Sequence, residues 1–356
     1  MRDADRELKS ACCSAESEHL VELQIGSYPE PAPTKLMTAD TRMTLIDRWG
    51  SWMVRWGFGR DRYRVSPGLY AVGSPDVGSP VLVSANYKLS FDYLRRELGG
   101  LDVWILVLDT KGINVWCAAG KGTFGTAEIA RRIELTGLNG RVSHRTLIVP
   151  QLGAPGVAAH TVKKQTGFNV VYGHVRAHDI KPFLAGQMKA TPEMRRVRFT
   201  LAARLAVVPS ELITALKYSL IPFAVLALWH LFAGGLSARQ LFWDWIPYLG
   251  ALLVGTVVVP ALLPWLPFRS FALKGWLAGV LWASGISALQ GASLAHLAGN
   301  LLLLPALSAY MALNFTGSTT FTSQSGVNKE IRLFARPMAI SGVLGVLLIV
   351  GRAIWR

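Results

Sequence analysis

The chain has 356 residues, 51% of them hydrophobic, with a formal net charge of +15 and a mean hydropathy of +0.33, which is long enough for two domains and too apolar for an ordinary soluble enzyme. Much of the basic excess lies at Lys189, Arg195, Arg196 and Arg198, just ahead of the first long apolar run. The charge therefore points to a membrane surface and not to nucleic acid, for which no recognisable module is present.

Residues 1–48 read as a flexible N-terminal tail with PEPAPT in it. Cys12 and Cys13 sit there as adjacent thiols, suited to a soft metal ion or simply solvated. With Cys117 they make three cysteines, too few for a disulfide framework, a four-ligand zinc site or a protein-held iron–sulfur cluster, and they fit a reducing compartment. The N-terminus is charged and lacks the apolar core of a signal peptide, so the following domain is expected in the cytoplasm.

Residues 49–190 alternate strand and helix patterns. Strands are predicted over 68–73, 80–86, 102–109, 146–150 and 169–175, and helices in LSFDYLRRELGG, TAEIARRIELTG, GVAAHTVKKQTG and HDIKPFLAGQ. This order predicts a Rossmann-like α/β domain with a mostly parallel sheet, whose ligand sits beyond the carboxyl ends of the strands. Residues 191–211 form a basic linker or amphipathic segment, and 212–356 an all-α transmembrane domain of five helices, over 212–233, 245–264, 274–292, 294–313 and 337–355.

An inside N-terminus places Arg269, Lys274, Lys329, Arg332 and Arg336 on the cytoplasmic side with the basic cluster, and leaves only Arg239, Arg352 and Arg356 outside. The asymmetry predicts a multi-pass protein of the cytoplasmic (inner) membrane. The loop 314–330, rich in Thr, Ser and Gly, then lies inside, as a turn-rich surface or a plain connector.

KGINVWCAAGKGTFGT, residues 111–126, carries the chemistry. Gly120, Gly122 and Gly125 form a G-x-G-x-x-G ahead of a helix, the pattern of a dinucleotide site, yet the next strand ends without the acidic residue that binds ribose. A phosphate loop fails at Val115 and Gly122, and a cysteine nucleophile needs a histidine such as His144 or His160. Locally, Asn114 is a favoured N-cap and Gly120 a favoured C′ residue, so Val115 to Ala119 reads as a short helix with Cys117 in its first turn, where unpaired amides and the helix dipole favour a thiolate. A thiolate so presented suits one axial position of a macrocycle-bound metal, and a buried structural cysteine is the bland alternative.

NVWCAAGK, Asn114 to Lys121, resembles the cap-helix signature of the HgcA family, the corrinoid proteins of bacterial and archaeal mercury methylation. PGLYAVGSP, PVLVSANYKLSFDYLR, VPQLGAPGVAAH and YGHVRAHDIKPF are similar to that family and to the related corrinoid iron–sulfur protein of the acetyl-CoA pathway. With the five apolar stretches the resemblance extends over residues 65–356, and the lack of cluster cysteines favours the mercury family.

The resemblance implies that Cys117 is the lower axial ligand of a corrinoid cobalt, with Asn114, Val115, Trp116, Ala118, Ala119, Gly120 and Lys121 shaping its helix. It places the corrinoid against the loops after the strands, at Ser84, Asn86, Thr110, Gln151, Gly153 and Gly156, where the two glycines either admit the ligand or only shape turns. His174 departs from the proline of relatives. The implied reaction moves a methyl group from a folate-type donor through methyl-Co(III) to inorganic Hg(II). A separate HgcB-type, ferredoxin-like partner with [4Fe-4S] clusters would act as reductant. A membrane transporter or sensor with a corrinoid- or nucleotide-binding domain and no methyl turnover is the alternative, and a nucleotide-dependent oxidoreductase a third.

Overall fold

A computed structural model describes residues 36–354 other than 233, 234, 236, 320 and 323; Cys12 and Cys13 lie outside the described residues. The chain divides into two compact units that meet between Arg198 and Phe199.

The first unit is built on a six-stranded sheet in the order β1-β2-β4-β3-β5-β6, with β1 Met37–Thr38, β2 Gly68–Val72, β3 Val81–Ala85, β4 Val103–Leu108, β5 Thr146–Val149 and β6 Asn169–Tyr172. β4, β3, β5 and β6 are parallel, whereas β2 runs antiparallel to β4 and carries β1 on its outer edge. The five strands expected from the sequence are all present, because uninterrupted runs such as VWILVL suit a sheet covered on both faces. β1 and the helix Leu45–Arg55 start within the stretch read as tail. A two-residue edge strand has no periodicity to read.

Alternate residues feed two cores. Leu69, Val83, Leu106 and Leu108 pack with Ala118, Phe124, Ile129 and Val162 on one face, whereas Tyr70, Leu82 and Ile105 pack with Phe91, Ile180 and Phe183 on the other. The first face is covered by the helices Val115–Lys121, Thr126–Thr136 and Ala159–Thr166, the second by Lys88–Glu97 and Ile180–Ala185.

A charge clamp ties Leu45–Arg55 to the unit. Thr44 and Asp47 form a capping box at its start, and Asp47 reaches Lys88 at 2.5 Å and Arg95 at 2.7 Å, both of which also hold Asp92 at 2.7 Å. Arg95 donates further to the carbonyls of Asp40 and Arg42.

The second unit holds five helices long and apolar enough to cross a membrane: Val208–Phe232, Ala238–Leu262, Phe271–Leu289, Leu294–Gly317 and Ser325–Arg352. The third ends before the expected 292, and Gly291, with φ +59°, turns the chain at once into the fourth. Residues 324–330, expected in a loop, begin the last helix, Gln324–Ile354. Glu330 there accepts hydrogen bonds from Ser270 Oγ, Phe271 N and Ala272 N at 2.9, 2.8 and 3.2 Å, so a carboxylate from the last helix caps the third. Gly275 and Gly279 let the third helix approach Ser308 and Pro305 of the fourth, and Asn300 Nδ2 donates to Ser287 Oγ at 2.9 Å.

Burial alone would raise the Asp47 pKa, but hydrogen bonds from Lys88, Thr44 and Arg95 outweigh it and hold the carboxyl well below the usual range. A depressed folded-state pKa gives stability that is present above the ordinary value of about 3.9 and is lost as pH falls below it. Asp47→Asn should therefore loosen Leu45–Arg55 by about 2 kcal/mol at pH 7, allowing for partial exposure of the pair. Hydrogen exchange across residues 45–55 should show this gap from the wild type shrinking as pH falls below about 4.

Candidate functional site

β3 is flanked by β4 on one side and β5 on the other, so the chain leaves the carboxyl ends of β3 and β5 in opposite directions. Such a switch point opens a crevice between the loops, the usual ligand site of an open parallel sheet. A cavity of about 560 Å³ lies there, lined by Leu82, Ser84 and Ile148 of the strands, Leu94 of the helix Lys88–Glu97, Trp116, and His174 beyond β6.

Asn86 organises the loops. Its Oδ1 accepts from the amides of Thr110 and Gly112 at 3.2 and 2.9 Å, and the Thr110 hydroxyl lies 2.8 Å from the same oxygen and 2.7 Å from the Ile113 carbonyl. Its Nδ2 donates to Asp109 at 3.2 Å. Asp109 in turn accepts from the Lys111 amide and pairs with the Lys111 ammonium, which outweighs burial and holds its carboxyl below the ordinary pKa. Lys111 and Gly112 both adopt positive φ, so the chain reverses tightly into the next helix.

That helix is Val115–Lys121, capped as the sequence predicts: the Cys117 amide donates to Asn114 Oδ1 at 3.0 Å. Its end differs. Gly120 remains helical and Gly122, with φ +81°, is the left-handed residue, so the helix runs through Lys121. Gly122 accepts that conformation without a Cβ penalty, whereas Gly120 is not required to turn. Ala118 and Ala119 are buried, Trp116 is 37% exposed and Cys117 is partly buried. Asn114, Val115 and Trp116 line the cavity rim, while Cys117 lies on the next residue of the helix and is not in the lining.

The turn Gln151–Gly156 packs against this helix. A side chain at Gly156 would collide with the Phe124 carbonyl and come within 3.1 Å of Ala119 Cα, and one at Gly153 would collide with the Phe124 ring. What these glycines admit is therefore the chain itself. Asn86 and Thr110, 1% and 0% exposed, likewise direct their polar groups at neighbouring loops. Ser84, by contrast, lies in the cavity wall.

Of the four buried side-chain polar atoms without partners among the described residues, two belong to this unit, Gln151 Oε1 and His174 Nδ1. Gln151 falls between the lining residues Pro150 and Leu152, and its amide donates to the His174 carbonyl at 3.2 Å. His174 is 6% exposed, and burial lowers its pKa against a backbone hydrogen bond with Arg176 that raises it. His174 thus lines a mainly apolar cavity with one buried ring nitrogen that has no partner. Sequence pattern could not find it, because it depends on β6 returning beside β5.

Other readings of the cysteine segment lose support. Gly120 and Gly122 belong to a helix and its end, where a dinucleotide site needs a strand-to-helix turn. His144 Nε2 lies 2.9 Å from the carbonyl of Ser79, ahead of β3, and its Nδ1 accepts from the amide of Thr146, which begins β5. It therefore sits at the amino ends of those strands. His160 is exposed and has no hydrogen bond to Cys117. Among the described residues no cluster of three or more His, Cys, Asp or Glu could hold a metal ion.

Residues 59–184 match the family CO dehydrogenase/acetyl-CoA synthase delta subunit. The match runs from before β2 to the helix Ile180–Ala185 and includes every candidate site residue. The chain is 34% identical over 127 residues to the acetyl-CoA decarbonylase/synthase complex subunit gamma of Methanopyrus kandleri, and 32% identical over 127 residues to that of Archaeoglobus fulgidus. Each alignment takes in 35% of this chain and 27% of the relative, so the chain spans about a quarter of the length of these proteins. The gamma subunit of Methanocaldococcus jannaschii is 34% identical over 122 residues, 34% of this chain and 25% of the relative. The α/β unit is thus similar to gamma subunits of the acetyl-CoA decarbonylase/synthase complex, and the apolar helices lie outside the family match.

Asn114→Ala removes the oxygen that receives the Cys117 amide and should cost about 1 kcal/mol at this helix end. Asn114→Asp should retain most of it. Amide exchange at Cys117 measures both, with roughly fivefold faster exchange expected in the alanine variant.

Proposed function

We propose that this chain is a membrane-anchored, corrinoid-dependent methyltransferase that passes a methyl group to inorganic Hg(II), giving methylmercury. The observation that carries the reading is the NVWCAAGK segment, a short helix capped by Asn114 that begins at the rim of the switch-point cavity. The similarity of residues 59–184 to acetyl-CoA decarbonylase/synthase subunits supports a one-carbon role for the unit, and the five apolar helices support anchoring.

The lining of the cavity supports a cofactor that bears amide side chains. Its walls are mostly apolar, and the unpartnered His174 Nδ1 would receive an amide N–H. When bound, a corrinoid supplies a cobalt centre able to accept and release a methyl group. Cys117, next to the lining residue Trp116, would hold that centre through its thiolate sulfur. The Asn114 cap ties the Cys117 amide and fixes the backbone from which the thiol projects. The Asn86 network holds the loop from Thr110 to Ile113, so the helix start does not move as ligand enters.

Reduction of the centre is assigned to a separate ferredoxin-like partner with [4Fe-4S] clusters, since three cysteines in this chain do not make a four-cysteine cluster site. The methyl donor is of folate type. The helices would hold the protein in the cytoplasmic membrane with the α/β unit inside, as the loop charges favour.

Visible and EPR spectra of the corrinoid-loaded protein should differ between wild type and Cys117→Ala, and methylmercury formation with the partner present should be lost while the fold is retained. Identical cobalt spectra would refute thiolate ligation. His174→Phe keeps the ring that stands edge-on to Phe183 at 5.6 Å but removes the acceptor. Its affinity for cobinamide, followed by absorbance, should fall by about tenfold, with His174→Asn recovering part of the loss.

A further inference from the structure

The helix Leu45–Arg55 turns its apolar side away from the unit to which it is bound. Val54 is buried, Asp47 lies in the clamp with Lys88 and Arg95, and the absence of a side chain at Gly50 makes room for the Tyr63 ring. The opposite stripe runs through Leu45, Trp49, Trp52 and Trp56, positions i, i+4, i+7 and i+11. Leu45 and Ile46 are each 82% exposed, Trp49 is 63% and Trp52 49%, and Phe58 just beyond the helix is 50%. The indoles stack into a ladder with centroids 5.2 and 5.8 Å apart. An ordinary surface helix buries such a stripe. Here the clamp forbids it, because rolling the helix inward would pull Asp47 away from Lys88 and Arg95.

Two observations identify what covers the stripe. The chain carries five helices able to cross a membrane, so a bilayer surface is tethered to this helix by its own sequence. The borders of the stripe are net basic: Arg42, Arg48, Arg60 and Arg62 are exposed and in no ion pair among the described residues, against the exposed Asp40 and Asp61, and Asp47 is already neutralised by the clamp. Indole rings flanked by arginine are the composition of a helix lying between lipid headgroups and acyl chains, with guanidinium groups on phosphate.

We propose that Leu45–Arg55, with Phe58, is an interfacial helix lying in the headgroup boundary of an anionic leaflet of the membrane crossed by the chain's own apolar helices. It anchors the α/β unit at a second point besides the chain connection at residue 198. Nothing in this depends on the cofactor or on the reaction.

The test uses the full chain in lipid nanodiscs, with an environment-sensitive fluorescent amino acid in place of Trp49 or, as a control, of the exposed Gln165 on Ala159–Thr166. Emission at 49 should shift to the blue and be quenched by lipids brominated near the top of the acyl chain, more in anionic than in zwitterionic discs, while emission at 165 stays unchanged. Arg48→Glu with Arg62→Glu should reduce the quenching in anionic discs, and hydrogen exchange across residues 45–55 verifies that the helix is still folded. Water-like, unquenched emission at 49 overturns the proposal. A blue shift without quenching by brominated lipid also overturns it, since protein and not lipid then covers the face. Equal quenching in both disc types overturns the electrostatic part.

Discussion

One buried amide side chain organises the loops beside the switch-point cavity. Asn86, at the carboxyl end of β3, gathers Thr110 and Gly112 on its carbonyl oxygen and gives its amino group to Asp109, so the loops after β3 and β4 are joined side chain to backbone. Leaving these donors unpaired in an interior site would cost more than one ordinary hydrogen bond contributes, which favours this loop conformation. From it the chain emerges at Asn114 in the orientation that caps the following helix. The backbone at Cys117 is thus positioned by a residue at the carboxyl end of another element, β3.

Close packing completes what Asn86 begins. Phe124, fully buried, donates its amide to the Ala118 carbonyl and fills the space that Gly153 and Gly156 leave open, so the helix Val115–Lys121 and the turn Gln151–Gly156 form one layer. Beyond that layer the interior is left incompletely satisfied, with Gln151 Oε1 and His174 Nδ1 lacking partners beside an apolar cavity. Native interiors seldom leave such atoms unpaired without use.

The same logic of committed charges operates at the edge of the unit. Asp47, Lys88, Asp92 and Arg95 form a closed set of ion pairs that fixes the helix Leu45–Arg55 with its tryptophans outward. In the helical unit, Glu330 accepts from the amides of Phe271 and Ala272 at the start of the third helix, and glycines permit the close crossing of the third and fourth helices. Polar groups define geometry in both units, and apolar area supplies the driving force.

The strands 68–72, 81–85 and 103–108, the cap at Asn114 and the five long apolar stretches were all legible in the amino-acid order, because each is local: periodicity, capping and continuous hydropathy act within a few residues of chain. The switch point, the reversed direction of β2, the helical start at Gln324 and the partnership of Gln151 with His174 were not legible. Each depends on which distant segments pack together. The candidate site divides the same way. Its cysteine and cap could be named from one octet of sequence, whereas only the folded chain decided that Asn86 and Thr110 bind loops, that Gly153 and Gly156 admit Phe124, and that His174 is left facing the cavity. Hydrogen-bond satisfaction is a property of tertiary neighbours, and no residue carries it alone.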